Sequence, residues 1–156
     1  MIMKGAVVYH TKWGNCRQVA EAIAGGLAES GITVTLLDLE SGADLESKLS
    51  FLVLGSPTRV GKATGPARRF AKRKLGKSWL GKPFAAFGTG IADRGEKEEP
   101  KGADDLDRRL SQAGLLRLLP PFKARVSGMK GPLAEGELER AAQFGRDIAR
   151  ALRELK

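Results

Sequence analysis

The residues best suited to chemistry lie together near the start of the chain, and their types point to a phosphate group. Thr11-Lys12-Trp13-Gly14-Asn15-Cys16 combines a hydroxyl, a glycine and an amide within six positions. Before it, Gly5-Ala6-Val7-Val8-Tyr9 has the length and valine content of a buried strand. After it, Val19, Ala20, Ile23 and Leu27 recur at helical spacing, which predicts an amphipathic helix from about Asn15. A strand entering a helix through such a turn aims unpaired N–H groups and the positive helix end at one spot. On the first strand of a short α/β chain, that arrangement suggests a mononucleotide site. Thr11, Gly14 and Asn15 equally suit a plain helix-capping turn, and both readings stand at this point. Cys16 also has two readings: a thiol activated by the helix start, or a small buried packing residue.

The elements that must hold this turn alternate along the whole chain, with no linker and no repeat. Ile32 to Leu39 reads as a second strand, and Phe51-Leu52-Val53-Leu54 as a central one, apolar on both faces. Gly65-Pro66 opens a helix that runs through Leu75, and Phe84-Ala85-Ala86-Phe87 forms a fourth strand. A polar loop is expected from Thr89 to Gly102, then a helix carrying Leu106 and Leu110. Ala124 to Ser127 reads as a fifth strand, whereas the pattern from Leu115 to Pro121 assigns no state. The last helix shows one apolar stripe, Leu138, Ala141, Ile148, Leu152 and Leu155. Strands alternating with helices imply a parallel sheet covered on both faces, with ligands at the carboxyl ends of the strands. The site is then built from three loops: Thr11–Cys16, Ser56–Gly61 and Gly88–Asp93.

Composition narrows the class. The 156 residues fit a single domain spanning 1–156, and 42% hydrophobic with 29% charged residues is a globular balance. The amino terminus lacks the charged and apolar regions of a signal peptide, and no apolar run approaches a membrane span, so a cytoplasmic protein is expected. One cysteine excludes an internal disulfide, and with a single histidine, His10, most transition-metal sites are out of reach. His10 itself reads as an ordinary strand-end residue. The net charge is +9, and nine cations with no acid lie between Arg59 and Lys82. That segment is either a solvated helix face or a docking surface for an acidic redox partner protein. Aromatics do not interleave with these charges, which argues against nucleic acid. Oligomeric state cannot be read from the sequence.

The chain resembles the flavodoxin family, of the short type without an insertion in the fifth strand, over essentially all its residues. Thr11, Gly14 and Asn15 match the family's hydroxyl-rich phosphate loop, with Trp13 and Cys16 in place of hydroxyls; W-G-N is similar to the flavodoxin domains of flavodiiron proteins. Gly55-Ser56-Pro57-Thr58-Arg59-Val60-Gly61 is similar to the P-T-R-x-G loop of flavodoxin-like NAD(P)H:quinone oxidoreductases, and Gly88-Thr89-Gly90 to their third loop. The resemblance implies a doubly wound five-stranded parallel sheet of order 2-1-3-4-5 with helices on both faces. It implies FMN as cofactor, held by Thr11, Lys12, Trp13, Gly14, Asn15, Cys16, Ser56, Pro57, Thr58, Arg59, Val60, Gly61, Gly88, Thr89 and Gly90. Cys16 stands where flavodoxins usually carry a threonine hydroxyl that donates to the phosphate. The aromatics that usually flank the flavin ring are replaced by Arg59-Val60 and Ile91-Ala92. Arg59 can stack its guanidinium on the ring instead, while Trp79, at the far end of the sheet, reads as packing.

Two related folds are excluded. A phosphotyrosine phosphatase loop needs a cysteine six positions before an arginine, C-x5-R, and neither Cys16 nor Arg17 supplies that register. A receiver domain needs aspartates where this chain has His10-Thr11 and Gly55-Ser56. Three functions follow from the resemblance: an FMN redox protein carrying electrons between partners; an FMN-dependent quinone or protoporphyrinogen-type oxidoreductase; or a cofactor-less binding or regulatory module. No side chain stands out in the sequence as a catalytic acid or base.

Overall fold

A strongly apolar first strand nucleates the sheet. In β1 (Lys4–Tyr9) every residue after Lys4 is buried, because neighbours cover both its edges and both its faces. The computed structural model describes residues 3–42, 44–91 and 101–155. Along them follow α1 (Asn15–Glu29), β2 (Thr33–Asp38), β3 (Phe51–Arg59), β4 (Lys62–Ala63), α2 (Gly65–Arg73), β5 (Pro83–Ile91), α3 (Gly102–Gln112), β6 (Leu116–Arg117), β7 (Phe122–Val126) and α4 (Glu137–Glu154).

The parallel path runs β2-β1-β3-β5, and β6 and β7 both pair with β5. They act as one edge strand in two pieces, separated by Pro120-Pro121, which lack the N–H groups a ladder needs. Counted that way, the order is the expected 2-1-3-4-5. Alternation along the strands divides the core. Val7 and Val53 face α1 and α4, whereas Ala6, Val8, Leu52 and Leu54 face α2 and α3. Gly26 and Gly145 bring α1 and α4 into backbone contact. A Cβ on Gly26 would lie 2.1 Å from the Ala142 carbonyl oxygen, and one on Gly145 2.2 Å from that of Ile23.

Several boundaries differ from the sequence reading. β3 does not end at Leu54 but continues to Arg59, and β5 runs to Ile91, so Thr89 and Gly90 belong to a strand and not to a loop. α2 stops at Arg73. In α4 the stripe is Ala141, Phe144, Ile148 and Leu152, while Leu138 and Leu155 at the helix ends are about half exposed. Trp79 is buried in the α2/α3 core with the Lys82 ammonium 4.6 Å from its ring, in keeping with a packing role. Among the described residues no helix is long and apolar enough to cross a membrane.

Candidate functional site

At the carboxyl ends of β1, β3 and β5 the chain leaves a cavity of about 1270 Å³. Its first wall is the β1–α1 turn. Gly14 takes φ 91° as the N-cap of α1, a conformation costing other residues ~1–2 kcal/mol, and its N–H donates to Thr11 Oγ1 at 3.0 Å. The amides of Asn15, Cys16 and Arg17 form the first helical turn, where no preceding carbonyl is in reach, and no acid lies there to neutralise them. The ammonium groups of Lys12 and Lys130 lie 5.5 and 5.0 Å from the Trp13 ring, so cations flank the turn. The Asn15 amide donates to the Lys130 carbonyl at 3.3 Å, which fastens this turn to the segment after β7.

The second wall is a β-hairpin. β3 and β4 pair antiparallel with Arg59 opposite Lys62, and the two-residue turn between them, Val60 at φ 50° and Gly61 at φ 74°, has the positive φ values of a tight primed turn. Val60 is β-branched, so this conformation is strained, and its side chain is 99% exposed. Two contacts hold the hairpin down. Thr58 Oγ1 accepts the Gly102 N–H at 2.9 Å, and the buried Asp105 carboxylate accepts the Ala63 N–H at 2.9 Å. Burial pushes the Asp105 carboxyl up, but the Ala63 N–H and the guanidinium groups of Arg108 and Arg109 outweigh it and hold it below the usual range.

The third wall is the end of β5 with Thr89, Gly90 and Ile91, joined by Val126 and Met129 from the β7 side. Gly88 sits behind it: a Cβ there would lie 2.8 Å from the Ala103 N atom, so glycine lets α3 close against the strand. Of the residues expected at the site, Thr11, Lys12, Trp13, Asn15, Cys16, Pro57, Thr58, Arg59, Val60, Thr89 and Gly90 line the cavity. Gly14, Ser56, Gly61 and Gly88 do not; they shape turns or lie buried in strands. Asp93 of the third loop and the acidic stretch Glu96, Glu98 and Glu99 fall outside the described residues.

Of its two readings, Cys16 takes that of a small buried packing residue. Its side chain is 1% exposed, with Sγ 3.3 Å from Thr89 Oγ1, so it bridges the first and third walls from within the core. Burial pushes the thiol up to about 12, with the bonds to Thr89 opposing only part of that. The activated-thiol reading therefore fails. Buried and held in the thiol form, Cys16 is expected to go unlabelled by a disulfide reagent such as DTNB in the native protein and to titrate as one thiol after unfolding. Rapid labelling of the folded chain would contradict this burial.

The basic segment is also not one surface. Arg59, Lys62 and Arg68 line the cavity; Arg69, Lys72 and Arg73 are exposed along α2; Lys74 pairs with Asp44 at 3.2 Å; and Lys82 donates to the Leu49 carbonyl at 2.8 Å. Among the described residues the cavity thus carries Lys12, Arg59, Lys62 and Arg68 against one acid, Glu40, a balance that suits an anion. Apolar side chains at its rim, Trp13, Val60, Ile91 and Met129, are 45–99% exposed.

Sequence reasoning missed His10, Glu40 and Thr64. Both ring nitrogens of His10 are engaged, Nδ1 with Thr64 Oγ1 at 2.7 Å and Nε2 with Glu40 Oε1 at 3.0 Å. One signal was present: Thr64 directly precedes Gly65-Pro66, the pattern of a helix start. Glu40 had none, because it comes in on a short 3-10 turn after β2.

The comparisons with known proteins agree with this layout. No curated protein matches the chain in sequence. In fold it is similar to a flavodoxin from the domain Archaea, at 22% identity and TM-score 0.80, covering 97% of this chain and 99% of that one. It is similar to a WrbA-like flavodoxin from Agrobacterium tumefaciens at 22% identity and TM-score 0.77, with 99% of both chains covered. A flavodiiron core from Synechocystis matches at 21% identity and TM-score 0.74, covering 99% of this chain but 37% of that one. The sequence model of the flavodoxin family matches residues 7–144, from within β1 to within α4. With the sheet order, the glycine-capped first turn and that match in agreement, the chain belongs to the flavodoxin family.

Proposed function

We propose that this chain is an electron carrier that holds one FMN in the cavity and passes electrons to an acidic protein partner. Flavodoxins bind FMN and act as redox proteins, so the cofactor and the general chemistry come with the family. The observation that carries the reading is the convergence of the three walls on one cavity that is cationic inside and apolar at its rim. The residues fit the cofactor. The Gly14 turn offers first-turn amides and the Thr11 hydroxyl to a phosphate. Arg59 and Trp13 offer flat groups where a ring could stack. FMN supplies the redox chemistry; the chain binds, orients and sets the field around it.

The partner is inferred from surface chemistry. The cations of α2 and the hairpin attract an acidic surface, and the exposed side chains of Trp13, Val60, Ile91 and Met129 give it an apolar centre to dock on. The test is electron transfer from the reduced, FMN-loaded protein to an acidic redox protein under anaerobic conditions. The rate is expected to fall at least tenfold as salt rises, since exposed charges are screened within ~3 Å at 1 M. A salt-independent rate would contradict the electrostatic partner.

A second reading, an FMN-dependent quinone or protoporphyrinogen-type oxidoreductase, is favoured by one observation. A carboxylate, an imidazole and a hydroxyl are hydrogen-bonded in line at the cavity wall, the kind of group a two-electron acceptor needs for its protons. NAD(P)H oxidation dependent on added quinone would establish it over the carrier.

A further inference from the structure

With His10 neutral, the hydrogen-bonded chain at the cavity wall is one proton short. Glu40 Oε1 faces His10 Nε2 at 3.0 Å, His10 Nδ1 faces Thr64 Oγ1 at 2.7 Å, and Thr64 Oγ1 faces Ser56 Oγ at 3.0 Å. Ser56 Oγ also accepts the Thr64 N–H at 2.9 Å and donates to the Pro57 carbonyl at 2.7 Å. His10, Ser56 and Thr64 are buried, whereas the Glu40 side chain is 65% exposed.

The donors can be counted. Ser56 has one hydroxyl proton, given to Pro57, so towards Thr64 it can only accept. Thr64 also has one. If Thr64 donates to His10 Nδ1, the ring is neutral with its proton on Nε2 towards Glu40, and the Thr64–Ser56 contact has no proton in it. If Thr64 donates to Ser56 instead, Nδ1 must carry a proton of its own. Nε2 still donates to the Glu40 carboxylate, so His10 is then an imidazolium. With Glu40 ionised, that form alone puts a proton in every contact, so uptake of one proton completes the chain.

We infer that His10 takes up the proton that accompanies reduction of the flavin, becoming an imidazolium held between Glu40 and Thr64. The inference rests on the reading of the cavity as the FMN site. Electrons from an external reductant enter the cavity as negative charge, and one proton from a buffer acid balances part of it. Thr64 passes its hydroxyl proton to Nδ1, forming the N–H bond, and replaces it from cavity water. The new O–H then turns to Ser56. When the electrons leave, the steps reverse and the proton returns to the cavity, at Thr64 Oγ1.

The field at His10 has both signs. Glu40, bonded at Nε2, favours the imidazolium. Lys12 after β1, Arg59 on β3, Lys62 on β4 and Arg68 on α2 line the same cavity and oppose it. Added negative charge tips this balance. One unit of charge within the cavity, at an effective dielectric of about 20–40, strengthens proton binding by roughly tenfold.

Because His10 is the only histidine, its imidazole nitrogens are unambiguous in ¹⁵N NMR. The experiment follows them against pH in FMN-loaded protein, oxidised and then reduced with dithionite, with flavin retention read from the visible spectrum. The expected result is a titration midpoint about one pH unit higher in the reduced protein. By linkage, the flavin potential changes with pH between those two midpoints, and His10→Gln abolishes that dependence. A histidine with a purely structural role would titrate alike in both states. Retained flavin with coincident curves overturns the inference alone; protein that does not retain FMN overturns the cavity reading and the inference together.

Discussion

Asp105→Ala, in the first turn of α3, is expected to destabilise the protein by roughly 2–4 kcal/mol. Its carboxylate is buried and accepts the Ala63 N–H at 2.9 Å, so truncation strands a buried donor in β4. The same change frees the Arg108 and Arg109 side chains, which are partly exposed and can return to water, so little of the loss comes from them. Asp105→Asn keeps an acceptor for Ala63 and is expected to cost less than half as much. The sign of the pH dependence follows from the lowered carboxyl. A group held below its unfolded value contributes stability that is complete above that unfolded value, ~3.9 for an aspartate, and is lost as pH falls through the folded one. Urea midpoints for the three proteins at pH 7 and pH 3 check this. Equal midpoints for the Ala and Asn variants at pH 7 would show that the Ala63 bond contributes nothing.

Discrimination between FMN and riboflavin is expected to be about a thousandfold. The two ligands differ only in the phosphate. Two or more charge-assisted bonds from the first-turn amides and Thr11 contribute ~1.5–3 kcal/mol each, less the cost of desolvating the phosphate, and ~4 kcal/mol is a factor of about 10³. Gly14→Ala is the sharper control. Nothing lies within 4 Å of the added methyl, so only the φ of 91° resists it, and the turn must change shape. FMN affinity should fall about tenfold in that variant while riboflavin affinity holds. Calorimetry with both ligands on both proteins decides it; equal affinity for FMN and riboflavin in the parent protein would remove the phosphate role of Thr11–Cys16.

The fold was legible because its signals are local. Gly5–Tyr9 and Phe51–Leu54 are apolar runs of strand length, and Val19, Ala20, Ile23 and Leu27 repeat at helical spacing. The first wall of the site was legible for the same reason: a strand, a glycine turn and a helix lie within a few residues. What escaped was set by distant contacts. The extension of β3 to Arg59 depends on its pairing with β5 and on the return of β4, neither of which leaves a pattern in Gly55-Ser56-Pro57. The partner of Cys16, Thr89, stands 73 positions away on another strand, although the burial itself was one of the two readings. His10 acquires its two partners from residues 30 and 54 positions away, and Met129 reaches the rim on a segment anchored by Asn15. A basic run spread over strand, turn and helix was split by the fold between the cavity and the outside, which charge counting alone cannot show.

The central claim is that the cavity is an FMN site, and titrating flavin-free protein with FMN tests it most directly. The visible absorption and fluorescence of the flavin report binding as the ring leaves water. The account predicts saturation at one FMN per chain, a dissociation constant of about 1 μM or tighter, ~8 kcal/mol, and loss of binding when excess inorganic phosphate competes for the Gly14 turn. Flavin spectra unchanged at equimolar protein and FMN, in chains shown to be folded, would contradict it.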